Sequence, residues 1–188
     1  MKESDFRETQ ISSEMIYDGI ILHVFRDVIE QSNGNRAVRE VIRHNGAVCV
    51  VPINEKGEVV CVKQFRYPFD STMIEIPAGK LDSKEENPNS AALRELREET
   101  GLSCKKLTYM GKMYGSPAIL DEVIHMYIAE ELTEGETDPD EDEIIEPVTI
   151  PLERMFDMIM KGEICDAKTQ IAVLKAYNIV KNIGNNKI

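Results

Sequence analysis

Tryptophan is absent from this 188-residue chain, and cations are scarce: 22 Lys and Arg stand against 34 Asp and Glu. The formal charge of −12 argues against non-specific binding to nucleic acid or anionic membrane, both of which need a basic surface. No apolar run approaches the ~20 residues of a membrane-spanning helix. The N-terminal stretch MKESDFRETQISSEM is polar, without the apolar core of a signal peptide. The four cysteines, Cys49, Cys61, Cys104 and Cys165, show no Cys-x-x-Cys spacing. Cys49 and Cys61 fall in strand-like apolar runs, where a free thiol behaves as a small hydrophobe. The expectation is a cytoplasmic protein with reduced thiols.

What is present suffices for one sizeable core, with 42% hydrophobic residues and no sign of wholesale disorder. An anionic ligand on so acidic a chain requires clustered arginines or bound cations to overturn the local field.

Residues 16–30 read as strand material closed by a turn at Ser32 to Asn35. GAVCVVPI and EVVCVKQFRY, joined by NEKG, read as a hairpin with Gly57 in its turn. STMIEIPAG reads as a short strand entering a Pro-Gly turn, and KKLTYMGKMYG, EVIHMYIAEEL and IIEPVTI as further strands. LERMFDMIMKG and DAKTQIAVLKAYNIVKNIG carry apolar residues at helical spacing. Such an order predicts a mixed α and β fold. Within it, His23, His44 and His125 sit in strand-like runs, where a structural role outweighs catalysis, and the Met-rich MFDMIM reads as core.

Residues 88–100 give the clearest helix. Asn87 suits the N-cap, Pro88 the first helical position and Gly101 the left-handed C-terminal cap. On this helix Ala92, Leu93, Leu96 and Thr100 form one stripe, and Glu95, Glu98 and Glu99 an adjoining one. Like charges four apart repel by only ~0.2–0.5 kcal/mol, and Arg94 is placed to pair with Glu98. The helix alone therefore leaves a solvated acidic face and a metal site both open. Its context favours the metal. Three carboxylates beside the turn IPAG are the hard oxygen donors that Mg²⁺ takes, and cations there would let an acidic chain hold a diphosphate.

Gly79, Glu86 and the run Arg94-Glu95-Leu96-Arg97-Glu98-Glu99-Thr100-Gly101-Leu102 resemble the box of the Nudix hydrolases. One residue is extra between Gly79 and Glu86; Glu85 keeps the first spacing and Glu86 the second. Glu86 is preferred, since an insertion in the loop disturbs the helix less. Further matches over roughly residues 36–172, in VKQFRYP, EIPAGKL, GSPAILDE and DEDEIIE, are similar to bacterial ADP-ribose pyrophosphatases.

The resemblance implies an α/β/α sandwich with a mixed sheet at residues 43–188, and a small N-terminal β-region at 1–42 that forms a homodimer. It implies Mg²⁺, with Mn²⁺ as substitute, held by Glu95, Glu98, Glu99, the Ala78 carbonyl and Glu143, and Arg94 orienting the glutamates. Glu141 is assigned as the base that activates water, with Glu98 beside the reaction. Arg66, Arg39 and Pro117 are assigned to the substrate, where an arginine fork suits a phosphate. Ala118 replaces the glycine usual after this proline. Adenine would stack on Tyr17, Phe25 or Tyr114 in a chain without Trp.

The implied reaction is hydrolysis of ADP-ribose to AMP and ribose 5-phosphate. The alternatives are another nucleoside diphosphate derivative, such as a nucleotide sugar or dinucleoside polyphosphate, or a non-catalytic nucleotide sensor. Retention of all three helix glutamates weighs against a sensor. The acidic run 134–143 fails as an EF-hand, with Glu143 where Gly is needed and Thr149 where the closing Glu belongs.

Overall fold

The computed structural model describes residues 2–138 and 144–185. They form two compact units, one of Met1–Asn45 with Tyr114–Val123, the other of Gly46–Met113 with Ile124–Ile188.

The first unit is an antiparallel meander of β1 (Glu8–Asp18), β2 (His23–Gln31) and β3 (Arg36–Arg43). The continuous strand read over residues 16–30 is in fact two, broken by a turn in which Gly19 N–H donates to Leu22 O at 2.9 Å. β1 begins within the polar N-terminal stretch. Every one of its residues is exposed, so no buried face imposes the apolar alternation that marks a strand in sequence. Asp27 is buried in β2 and accepts Arg43 Nη2 at 2.8 Å, while Arg43 lies over the Phe25 ring at 4.9 Å. Segment 114–123 is fastened to β3: Ile42 N–H donates to Ile119 O at 2.7 Å and Asp121 N–H to Ile42 O at 3.1 Å.

Among the described residues the second unit holds two sheets. One is β10 (Ile145–Pro151), β5 (Glu58–Arg66) and β6 (Ser71–Glu75), all antiparallel. The other runs β7 (Ala78–Lys80), β4 (Ala47–Pro52), β9 (Ile124–Glu134) and β8 (Leu102–Met113), with β4 and β9 parallel and the other neighbours antiparallel.

The expected hairpin of β4 with β5 does not form. A single bridge joins Ile53 to Val59, after which the strands part into different sheets. β4 is buried along its whole length because helices cover both its faces, as a central strand of a layered α/β fold requires.

Among the described residues three helices complete the unit: α1 (Pro88–Thr100), α2 (Leu152–Met160) and α3 (Ala167–Asn185). Alternation along β4 and β9 sorts the core into two layers. Val48, Val50, Tyr127 and Ala129 pack with Ala91, Ala92 and Leu96 of α1. Cys49, Val51, Met126 and Ile128 pack with Met155 and Ile159 of α2 and Ala172, Val173 and Ala176 of α3. The result is an α/β/α sandwich with a mixed sheet. Leu96 is fully buried, so its truncation to Ala would cost about 2–5 kcal/mol.

Candidate metal and phosphate site

α1 ends where its sequence says it should. Asn87 Oδ1 accepts Asn89 N–H at 2.9 Å, and Gly101 takes the left-handed conformation at φ 70°. Its buried face is Ala91, Ala92, Glu95, Leu96, Glu99 and Thr100, and Leu93, expected inside, is exposed. Two of the glutamates therefore lie on the packed side. Glu95 is 8% exposed and Glu99 5%, which removes the reading of a solvated acidic face.

A buried carboxylate needs partners, and each has one. Glu99 Oε2 accepts Ala78 N–H at 3.2 Å, tying the helix to the start of β7. Glu95 Oε1 accepts Arg94 Nη1 at 2.7 Å, and the same nitrogen reaches Glu98 Oε2 at 3.1 Å. Arg94 Nη2 donates to Lys80 O at 3.1 Å and pairs with Glu86 Oε1 at 3.5 Å. Burial opposes the charge on Arg94, but Glu95, Asp82 and Glu98 outweigh it and hold its pKa above the ordinary arginine value. Arg94 Nε is buried without a hydrogen-bond partner among the described residues.

Glu86 also accepts Asp82 N–H at 2.6 Å, while Glu85 is exposed. Of the two, Glu86 is the residue in contact with the arginine, so the extra residue is absorbed in the loop.

Ala78, Gly79, Lys80, Asp82, Arg94, Glu95, Glu98 and Glu99 line one cleft of about 280 Å³. Its donors are hard carboxylate oxygens, which fit Mg²⁺ or another hard divalent cation. Among the described residues no group of three or more acidic, His or Cys side chains is arranged, as it stands, to hold a metal ion. Arg94 bridges Glu95 and Glu98, so a cation entering the cleft competes with its guanidinium for those oxygens.

Arg66, at the end of β5, forms a bidentate pair with Glu75: Nε and Nη2 each lie 2.7 Å from a carboxylate oxygen. Hydrogen bonding to Glu75 raises its pKa against the effect of burial, and the Asp166 and Glu99 charges add to the rise. Lys168, which no spacing in the sequence signals, completes the pairing of Glu75.

Arg39 and Pro117 belong to the first unit. Arg39 is engaged by Glu8, through Nε to Oε2 at 3.0 Å and Nη2 to Oε1. Pro117 follows Ser116, whose carbonyl accepts the N–H of Ile119 and of Leu120 at 3.1 and 2.9 Å. Of the aromatic candidates, Tyr17 and Tyr114 are exposed and Phe25 lies beneath Arg43.

The acidic run leaves the end of β9 and contacts the end of α1: Asp138 N–H donates to Glu98 O at 3.0 Å, and a β-carbon on Gly101 would lie 2.7 Å from Gly135 O. Glu141 and Glu143 lie outside the described residues.

Comparison with known proteins gives the family. The NUDIX domain profile matches residues 43–169. Over 168 residues the chain is 42% identical to the ADP-ribose pyrophosphatase of Bacillus subtilis (strain 168), which covers 88% of this chain and 90% of that one. It is 39% identical over 170 residues to the methanol dehydrogenase activator of Bacillus methanolicus, covering 89% and 91% of the two chains. A crystal structure described as an ADP compounds hydrolase superposes with a TM-score of 0.86 at 25% identity, over 97% of this chain and 99% of the other.

Proposed function

This chain belongs to the Nudix family, and from that premise we propose that it hydrolyses the diphosphate of ADP-ribose to AMP and ribose 5-phosphate. The observation that carries the reading is the burial of Glu95 and Glu99 on the face of α1 that lines the cleft, beside Glu98 and the Ala78–Gly79 turn.

Nudix hydrolases in general need divalent metal ions. In this chain Glu95, Glu98, Glu99 and the Ala78 carbonyl would hold Mg²⁺, or Mn²⁺ in its place, with Glu143 adding a contact. Bound there, a divalent cation would neutralise the diphosphate charge and polarise its phosphorus–oxygen bonds.

The protein's own groups supply the rest. Arg94 keeps Glu95 and Glu98 oriented through the Nη1 they share. Arg66, fixed by Glu75, offers its guanidinium to a phosphate oxygen. Glu141 takes the proton of the attacking water.

Residues 1–42 form the β-region of a homodimer, and residues 43–188 the catalytic domain. Support for the dimer comes from β1 and its turn, where Ile11, Met15, Ile16, Tyr17, Ile20 and Ile21 are all exposed. Four free cysteines, two of them buried, suit the cytoplasm.

The test is a panel of ADP-ribose, GDP-mannose and a diadenosine polyphosphate, each with Mg²⁺ and with chelator. Chelator-sensitive turnover led by ADP-ribose supports the reading. Turnover led by another member keeps the chemistry and rejects the substrate.

A further inference from the structure

One cluster of buried charge in the second unit lies outside the cleft lining. Glu75, the last residue of β6, is 2% exposed. Its Oε1 accepts Arg66 Nε, and its Oε2 accepts both Arg66 Nη2 and Lys168 Nζ. Lys168 stands in the first turn of α3, 93 residues further along the chain, with a side chain only 16% exposed. Its ammonium also meets Asp166 Oδ1 at 3.1 Å.

Asp166 Oδ2 in turn accepts the Thr169 N–H at 2.9 Å and its hydroxyl at 2.6 Å. Thr169 Oγ1 then accepts the N–H of Ile76 at 3.0 Å. Two cations and two carboxylates thus balance one another. The chain of bonds runs from α3 to the two residues, Glu75 and Ile76, that precede the Pro77–Gly79 turn of the candidate site.

The sharing of one oxygen matters. A bidentate fork fixes a guanidinium only as well as its carboxylate is itself fixed. Glu75 alone could turn about its terminal bond and carry Arg66 with it. A second cation on Oε2 removes that rotation, and the cation comes from a helix packed in the core. Burial would push the Glu75 pKa up, but the hydrogen bonds of Arg66 and the charge and hydrogen bond of Lys168 hold it at about 2. Glu75 is therefore ionised at neutral pH.

We propose that Lys168 is a positioning residue: through the Glu75 oxygen it shares with Arg66, it sets the plane in which Arg66 meets the substrate diphosphate. This rests on the reading of the chain as an ADP-ribose hydrolase with Arg66 on a phosphate.

The experiment is steady-state kinetics of the full chain with Mg²⁺ and ADP-ribose, comparing wild type with Lys168→Met, Lys168→Arg, Arg66→Ala and the double variant Arg66→Ala/Lys168→Met. Because the phosphate contact acts on bound substrate and transition state alike, Lys168→Met should raise KM roughly tenfold and change kcat less than about threefold. Lys168→Arg should restore most of the loss. In the Arg66→Ala background the Lys168 change should add almost nothing to KM.

A merely structural role would lower the melting temperature and the active fraction and leave KM where it was. Circular dichroism separates that case, and Lys168→Gln replaces Lys168→Met if the latter does not fold. An unchanged KM in an active, folded variant, or additive effects with Arg66→Ala, overturns the proposal. A wild type that does not cleave ADP-ribose overturns the functional reading first, before any variant is compared.

Discussion

The carboxylate of Glu95 fills the space that a β-carbon on Gly79 would need: built there, that carbon lies 2.1 Å from Glu95 Cδ. The glycine of the turn and the glutamate of the helix are thus one fitted pair. Gly79→Ala should displace the carboxylate by about an ångström, and misplacement on that scale costs on the order of 100-fold in turnover. The check is kcat of the variant with an unchanged far-UV spectrum. Wild-type activity would mean that the position of Glu95 is unimportant.

Arg94→Lys keeps the charge and loses the fork that spans Glu95, Glu98 and the Lys80 carbonyl. The apparent affinity for the activating cation should fall about 10- to 100-fold, as for other groups that orient metal ligands. Activity titrated against Mg²⁺ measures it. Partial recovery at saturating Mg²⁺ is expected, and an unshifted titration would contradict the orienting role.

Glu75 links stability to pH. Its ordinary pKa of 4.5 falls to about 2 in the folded protein, where burial is outweighed by Arg66 and Lys168. A lowered folded pKa gives stabilisation that is complete above about pH 4.5 and is lost as pH falls towards about 2. The contribution is on the order of 3 kcal/mol. Urea midpoints between pH 7 and pH 2 should show Glu75→Gln less stable at neutral pH and flatter across the acid limb. Parallel curves for the two proteins would reject the linkage.

Much of α1 was legible because its signals are local: a cap at Asn87, a proline at 88, a glycine at 101 and acids at fixed spacing. Burial of Glu95 and Glu99 was not, since a hydrophobic stripe drawn from sequence assigns acids to water. Leu93, exposed, and Ala91, buried, are the two residues that the rotation of the helix exchanges.

Pairings distant in sequence were also hidden. The parallel neighbours β4 and β9 are separated by β5 to β8 and α1, while β4 and β5, adjacent in sequence, join different sheets. Lys168 reaches Glu75 only through this arrangement, which is why it carries no motif. The part of β1 before residue 16 was missed for another reason: a strand exposed along its whole length has no buried face to impose a pattern.

That exposed strand supports a further prediction. If β1 is covered by a second copy, Met15→Asp should convert a dimer into a monomer, as measured by sedimentation equilibrium at micromolar protein. Met15 is 50% exposed in the single chain, so the change leaves the core intact. A wild type that sediments as a monomer would remove the dimer.

The most direct measurement is chromatographic identification of products from ADP-ribose with Mg²⁺, using wild type and Glu99→Gln side by side. Glu99 is buried, bound to Ala78 N–H and nearly isosteric with glutamine, so the fold should survive the change. We expect equimolar AMP and ribose 5-phosphate from wild type, none with chelator, and a loss of at least about 100-fold in folded Glu99→Gln. Intact ADP-ribose after incubation with folded wild type and Mg²⁺, or undiminished cleavage by Glu99→Gln, would contradict the assignment of this helix as the metal site of a diphosphate hydrolase.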